Sequence, residues 1–120
     1  MNDFPGLRTG AFLGALATLL GAFAAHGLKG HLDAAALQTF ETGVRYQMYH
    51  ALAMLLCGAL ADRRRTAAAA WCFLGGIVLF SGSLYGLSAL GLRWLGPVTP
   101  FGGVLFLCGW ILLALSRRAD

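Results

Sequence analysis

The chain has 120 residues, a formal net charge of +4, 58% hydrophobic residues and 12% charged residues. Soluble domains carry about 25% charged residues, so this composition, with a mean hydropathy of +0.71, excludes an ordinary soluble enzyme domain. The length allows one domain, 1–120, with no room for a separate soluble unit. The basic residues sit at the ends of apolar stretches rather than on an amphipathic face, which argues against a nucleic-acid partner and for membrane topology.

A spanning helix needs roughly 20 mainly apolar residues. Four stretches meet or approach that length, at about 10–28, 44–61, 66–90 and 101–116, the last being short. The expected fold is therefore all-α, an integral membrane four-helix bundle. The first stretch, with Arg8, an apolar core and Ala22-Phe23-Ala24, has some features of a signal peptide. Asp3 weakens its basic start, and we read it as a retained first span. Gly10 and Gly14 carry the small-residue spacing that lets helix backbones approach. Packing within the bundle is the expected use, and a homo-oligomer through such faces is the alternative. Gly82 and Gly86 repeat the device in the third span.

After the first span, Gly27 is expected to close the helix in the left-handed conformation. Asp33 is expected to cap a short helix over Asp33–Phe40 that lies in the interface. Gly43 is expected to break it from span two, the alternative being a continuous extension of that span. Span two ends at Asp62-Arg63-Arg64-Arg65. Beyond span three, Arg93 and Trp94 read as interfacial anchors. Thr99 as N-cap with Pro100 at the first helical position starts span four. An even number of spans puts Arg8, Arg63, Arg64, Arg65, Arg117 and Arg118 at one end, and Lys29, Arg45 and Arg93 toward the other. The positive-inside rule then places both termini in the cytoplasm, with the chain in the plasma (inner) membrane.

The chemistry-bearing run is Glu41–His50. Ionisable groups inside a span are costly, so each is a functional-site hypothesis. Tyr46, Gln47 and His50 fall three and four residues apart, on one side of a helix. Arg45 and Tyr49 form a second stripe, with Glu41 placed to pair with Arg45. His26, near the end of span one, and Tyr85 of span three are expected at a similar depth to His50. Three readings compete. The polar residues could serve only as hydrogen-bonded helix locks in a scaffold or assembly subunit. His26 and His50 could ligate a metal or haem in a redox component, although no metal-binding spacing is present. Or His26, Arg45, Tyr46, Gln47, His50 and Tyr85 could line a polar outer-leaflet pocket for a small ion or lipid headgroup, with Arg45 holding the anion and His50 titrating. The third is the leading reading. It needs no cofactor and no catalytic residue, and its expected partners are the bilayer and that ligand. The spans hold no carboxylate, phosphate loop or Ser-His-Asp set, so the expectation is a non-enzymatic protein. Cys57, Cys72 and Cys108 lie in apolar runs and read as small hydrophobes, with Cys57 and Cys72 at similar depth.

Several runs occur in order: Ala22-Phe23-Ala24-Ala25-His26-Gly27-Leu28, Thr42-Gly43-Val44-Arg45-Tyr46-Gln47-Met48-Tyr49-His50, Leu79-Phe80-Ser81-Gly82-Ser83-Leu84-Tyr85 and Leu95-Gly96-Pro97-Val98-Thr99-Pro100. With them the chain resembles the YgdD/YwdK-like family of small membrane proteins. Ala24 departs from the glycine often found there. The resemblance implies four spans and a membrane location. It implies no activity and no catalytic residues, because the family is a domain of unknown function.

Overall fold

The structure is a computed structural model that describes residues 6–119, so Asp3 lies outside the described residues. Helix α1 spans Leu7–His26 and α2 spans Ala34–Ala59. A long rod comes next, built from α3 (Ala67–Gly76), a π-helical turn (Ile77–Ser81) and α4 (Gly82–Ala89). A 3-10 segment, Arg93–Val98, leads into α5, Thr99–Ala114. The molecule is a bundle 53 Å long and 26 by 19 Å across. Helix α1 packs along α2, α2 also packs on the rod, and the rod packs on α5.

Among the described residues, three helices are long and apolar enough to cross a membrane: Leu7–His26, Ala67–Ala89 and Arg93–Ala114. Helix α2 is longer, but its first half carries Gln38, Glu41, Arg45 and Gln47. The separate interfacial helix expected at Asp33–Phe40 is instead the first part of α2, which runs unbroken through Gly43. Gly43 does not break the helix. It serves close packing, since a Cβ there would come within 2.8 Å of the Tyr85 ring. Asp33 caps α2 as expected, its Oδ1 accepting from the Ala36 N–H at 2.8 Å.

Two other local expectations change. Gly27 keeps a right-handed backbone, and the left-handed turn falls on Gly30 at φ +91°. Thr99 is not an N-cap, because the 3-10 segment runs directly into α5 and Val98 takes the cap position. The Thr99 hydroxyl instead meets Ser83 Oγ, joining α5 to α4. That lead-in lengthens the short fourth stretch to a full 22-residue span.

The seam between α1 and α2 is backbone against backbone. A Cβ at Gly10 would come within 2.8 Å of the Ala51 carbonyl oxygen, and Gly21 faces Val44. The Gly10–Gly14 stripe is therefore used within the chain. Gly82 is different: it has no neighbour where its Cβ would be, while Gly86 faces Leu95. The π turn between α3 and α4 adds a residue to the helical turn and rotates the side chains of α4 relative to those of α3. Ser81, at its end, donates to the Gly43 carbonyl at 2.7 Å.

The arginine-rich turn and tail come together. The turn Arg63–Arg65 pairs with the tail segment Arg117–Ala119: Arg65 N–H donates to the Arg117 carbonyl at 2.9 Å, and Ala119 N–H to the Arg63 carbonyl at 2.8 Å. Gly58, just before this turn, abuts the backbone of Leu7. So the start of α1, the α2–α3 turn and the tail share one end of the bundle.

Candidate functional site

Gln47 and His50 of α2 are both buried. They face different neighbours. The Gln47 amide nitrogen donates to the Leu13 carbonyl of α1 at 2.8 Å. Its oxygen accepts from the Tyr85 hydroxyl at 2.6 Å. One amide therefore bridges α1 and α4 through Tyr85. The Leu13 carbonyl is one acceptor of the α1 backbone, and a buried polar group without a partner is expensive where no water can replace it.

His50 turns toward α5. Trp110 Nε1–H donates to His50 Nε2 at 3.0 Å, and His50 Nδ1 lies 2.7 Å from the Tyr46 carbonyl. Indole nitrogen only donates, so Nε2 is the acceptor. The ring proton is then on Nδ1 and donates to the Tyr46 carbonyl. His50 is held as the neutral Nδ1–H tautomer with both nitrogens used. The imidazole also stacks on Phe106, with centroids 3.6 Å apart and planes 5° from parallel. Phe73 and Trp110 pack at its edges.

Around His50 a groove of about 430 Å³ opens between α2 and α5, above the π turn. Its lining is Tyr46, Tyr49 and His50 from α2, Phe80 from the π turn, and Gly103, Phe106, Leu107 and Trp110 from α5. The volume is within the range of small-ligand sites, roughly 300–1,000 Å³. The chain makes this groove with one close approach and one gap. A Cβ at Gly102 would overlap the Phe80 backbone, so α5 sits tight on the π turn. At Gly103, the next residue, the nearest atom to a Cβ would be Phe80 Cδ2 at 3.9 Å.

The polar pocket expected from the sequence is thus divided. Tyr46 and His50 are together in the groove, and Gln47 and Tyr85 are together at the α1–α4 bridge. Arg45 is exposed and donates to Thr42 Oγ1 at 3.2 Å, so the expected pairing with Glu41 does not form. His26 is exposed and is not beside His50. The antiparallel register runs from Gly10 opposite Ala51 to Gly21 opposite Val44. Continuing it sets His26 about 17 Å along α2 from His50, at about 1.5 Å per residue. Hydropathy alone starts span two at Val44, whereas α2 begins ten residues earlier, at Ala34. His26 and His50 therefore do not form a shared metal or haem site in this arrangement. Among the described residues, no group of three or more His, Cys, Asp or Glu could hold a metal ion.

Sequence reasoning missed Phe80, Phe106 and Trp110. A signal was available for Trp110: its indole N–H, lying in an apolar span, needs an acceptor, and His50 is among the few side chains able to supply one.

An all-helical chain with three membrane-length apolar helices, and polar side chains spent on joining them, is an integral membrane protein. Residues 20–103 match the family model described as "Protein of unknown function (DUF423)", and the chain belongs to that family. It is 46% identical over 111 residues to the UPF0382 membrane protein YwdK of Bacillus subtilis, covering 89% of this chain and 90% of the relative. It is 47% identical over 108 residues to a UPF0382 membrane protein of Haemophilus influenzae, covering 87% and 86%. A Staphylococcus haemolyticus UPF0382 membrane protein is 43% identical over 110 residues, covering 87% and 90%. No solved structure matches.

Proposed function

We propose that this is a non-enzymatic, lipid-binding protein of the plasma (inner) membrane. In this reading α2 is the fourth span of a single domain. The arginine-rich end, with both termini, is cytoplasmic, because cytoplasmic loops carry the Lys/Arg excess. The groove between α2 and α5 takes the apolar chain of a membrane lipid. Arg45, one helical turn before Tyr49 on the same stripe of α2, holds the anionic headgroup in the outer leaflet.

One observation carries this reading: His50, the ionisable group of the groove, has both ring nitrogens committed to the protein. The surface left facing the groove is mainly ring and aliphatic side chain, with the Tyr46 and Tyr49 hydroxyls as polar exceptions. Such a lining suits a hydrocarbon chain better than an ion. The headgroup role moves from His50 to Arg45, whose exposed guanidinium keeps donors free for phosphate.

The test is lipid retention. Wild-type protein, purified gently in mild detergent and analysed by native mass spectrometry, is expected to carry one lipid per chain. Gly103→Leu fills the groove at a position with room for a side chain, so it is expected to fold normally and lose the lipid. Arg45→Gln is expected to keep a lipid but lose the preference for anionic headgroups. Full retention by a folded Gly103→Leu protein would overturn the reading.

A further inference from the structure

The paired turn and tail at the arginine-rich end hold a charge arrangement that the fold alone does not explain. Arg64 and Arg118 form an antiparallel bridge. The two hydrogen bonds flanking it run from Arg65 to Arg117 and from Ala119 to Arg63. That pattern makes Arg64 and Arg118 a non-hydrogen-bonded pair, the position at which opposed side chains lie closest, with Cα atoms about 4.5 Å apart. Like charges directly opposite one another destabilise a strand pair. Both side chains are exposed. The Arg64 guanidinium spends one N–H on the Ser116 carbonyl, at 2.7 Å, which leaves its other donors free. Arg118 has no side-chain partner among the described residues. Asp62, two residues before Arg64, makes no ion pair with either arginine.

Two arginines on opposed residues, with no ion-pair partner among the described residues, at the membrane end of a bundle are matched by an anion with several acceptor oxygens. Guanidinium binds phosphate through paired, charge-assisted hydrogen bonds. We infer that Arg64 and Arg118 form a clamp for a phosphate group, and that this phosphate belongs to the headgroup of an anionic phospholipid in the adjoining leaflet. The lipid is favoured over free phosphate because both arginines lie next to the ends of spanning helices. Anionic headgroups are concentrated there, and a basic residue at that level contributes about fivefold to binding. The bound phosphate would offset the repulsion within the pair, so the turn and tail would be tied together most firmly when the lipid is present. This site lies beyond the C-terminal end of α2, more than about 20 Å from Arg45 at about 1.5 Å per residue, and does not depend on the groove.

The experiment uses the full chain, delipidated in neutral detergent, with the thermal unfolding midpoint monitored as lipid is added. Phosphatidylglycerol is expected to raise the wild-type midpoint more than phosphatidylcholine does. Arg118→Gln and Arg64→Gln are each expected to need about five times more phosphatidylglycerol for the same rise. Arg93→Gln removes the same charge at the far end and should respond as wild type does, and the Arg118→Gln deficit should persist in a Gly103→Leu background, where the groove is filled. Arg118→Gln breaks no hydrogen bond of the fold, so it remains informative if Arg64→Gln fails to fold. A wild-type response in Arg118→Gln, or an equal loss in Arg93→Gln, would overturn the clamp. An equal rise with inorganic phosphate alone would overturn its assignment to a lipid.

Discussion

The seam between α1 and α2 and the seam between α3 and α5 both depend on glycine, but they pack differently. In the first, backbone meets backbone: Gly10 lies on Ala51, Gly58 lies on Leu7, and the Gln47 amide closes the contact. In the second, rings fill the notches. Phe73 covers Gly109, and Phe106 covers Gly76. Backbone contact leaves no free volume between the helices. Ring-in-notch contact keeps α5 on the rod but away from α2, and the opening that results is the groove beside His50. The proposed function thus belongs to the second seam, while the first holds α1 closely on α2.

Substitutions that fill a glycine notch test this contrast most severely. Gly10→Leu would drive a branched side chain into the α2 backbone, and is expected to cost about 3 kcal/mol, at the upper end of overpacking penalties. Gly102→Ala is expected to cost nearly as much, about 2–3 kcal/mol, because even a methyl group meets Phe80 backbone. Gly103→Ala, one residue on, is expected to be neutral within about 0.5 kcal/mol. Reversible unfolding in mixed micelles measures all three. Equal losses at Gly102 and Gly103 would mean that α5 does not sit on the π turn in this register.

Next in size is the Gln47 bridge. Gln47→Leu leaves the Tyr85 hydroxyl without its acceptor and removes the bond to the Leu13 carbonyl, which keeps its intrahelical donor, and is expected to cost about 2 kcal/mol. Tyr85→Phe removes a single bond and is expected to cost about 1 kcal/mol, in keeping with modest hydrogen-bond energies inside membranes. The two losses should not add, because the residues share one bond. Full additivity in a double-mutant cycle would contradict the bridge.

Smaller again is the effect of Trp110→Phe, which keeps the ring stacking but removes the donor to His50. It is expected to cost about 1 kcal/mol and to release the His50 tautomer, seen as a changed imidazole nitrogen resonance. Arg45→Gln, on the exposed stripe of α2, is expected to shift stability by less than about 0.5 kcal/mol and to change only headgroup preference.

The first seam was legible in the sequence and the second was not, for a physical reason. Gly10, Gly14 and Gly21 recur at helical spacing on one face of α1, so a flat stripe can be read from one segment alone. In the second seam the glycines and the rings that fill them come from different helices, Gly109 with Phe73 and Gly76 with Phe106. Only the folded chain pairs them. The Gly82–Gly86 spacing misled because only Gly86 is packed, against Leu95, while nothing lies within 4 Å of a Cβ at Gly82; the spacing alone does not say which of two small residues meets a neighbour. Gln47 and His50 are buried, Tyr85 is half-buried and Tyr46 is exposed, and their division between two neighbours depends on which helices flank α2. The His26–His50 pairing failed on the starting point of α2: hydropathy placed the span at Val44 because the polar turns before it look unlike membrane helix, yet they continue the same helix from Ala34.

The most direct test of the groove as a lipid-chain site is photo-crosslinking with a phospholipid carrying a reactive group midway along one acyl chain, combined with peptide mapping. The account predicts label concentrated on residues 46–50 and 103–110, and displaced from them in Gly103→Leu. Label spread as densely over the exposed α1 residues Phe12, Leu16 and Leu19 as over the groove would contradict it, since those side chains offer lipid contact without a site.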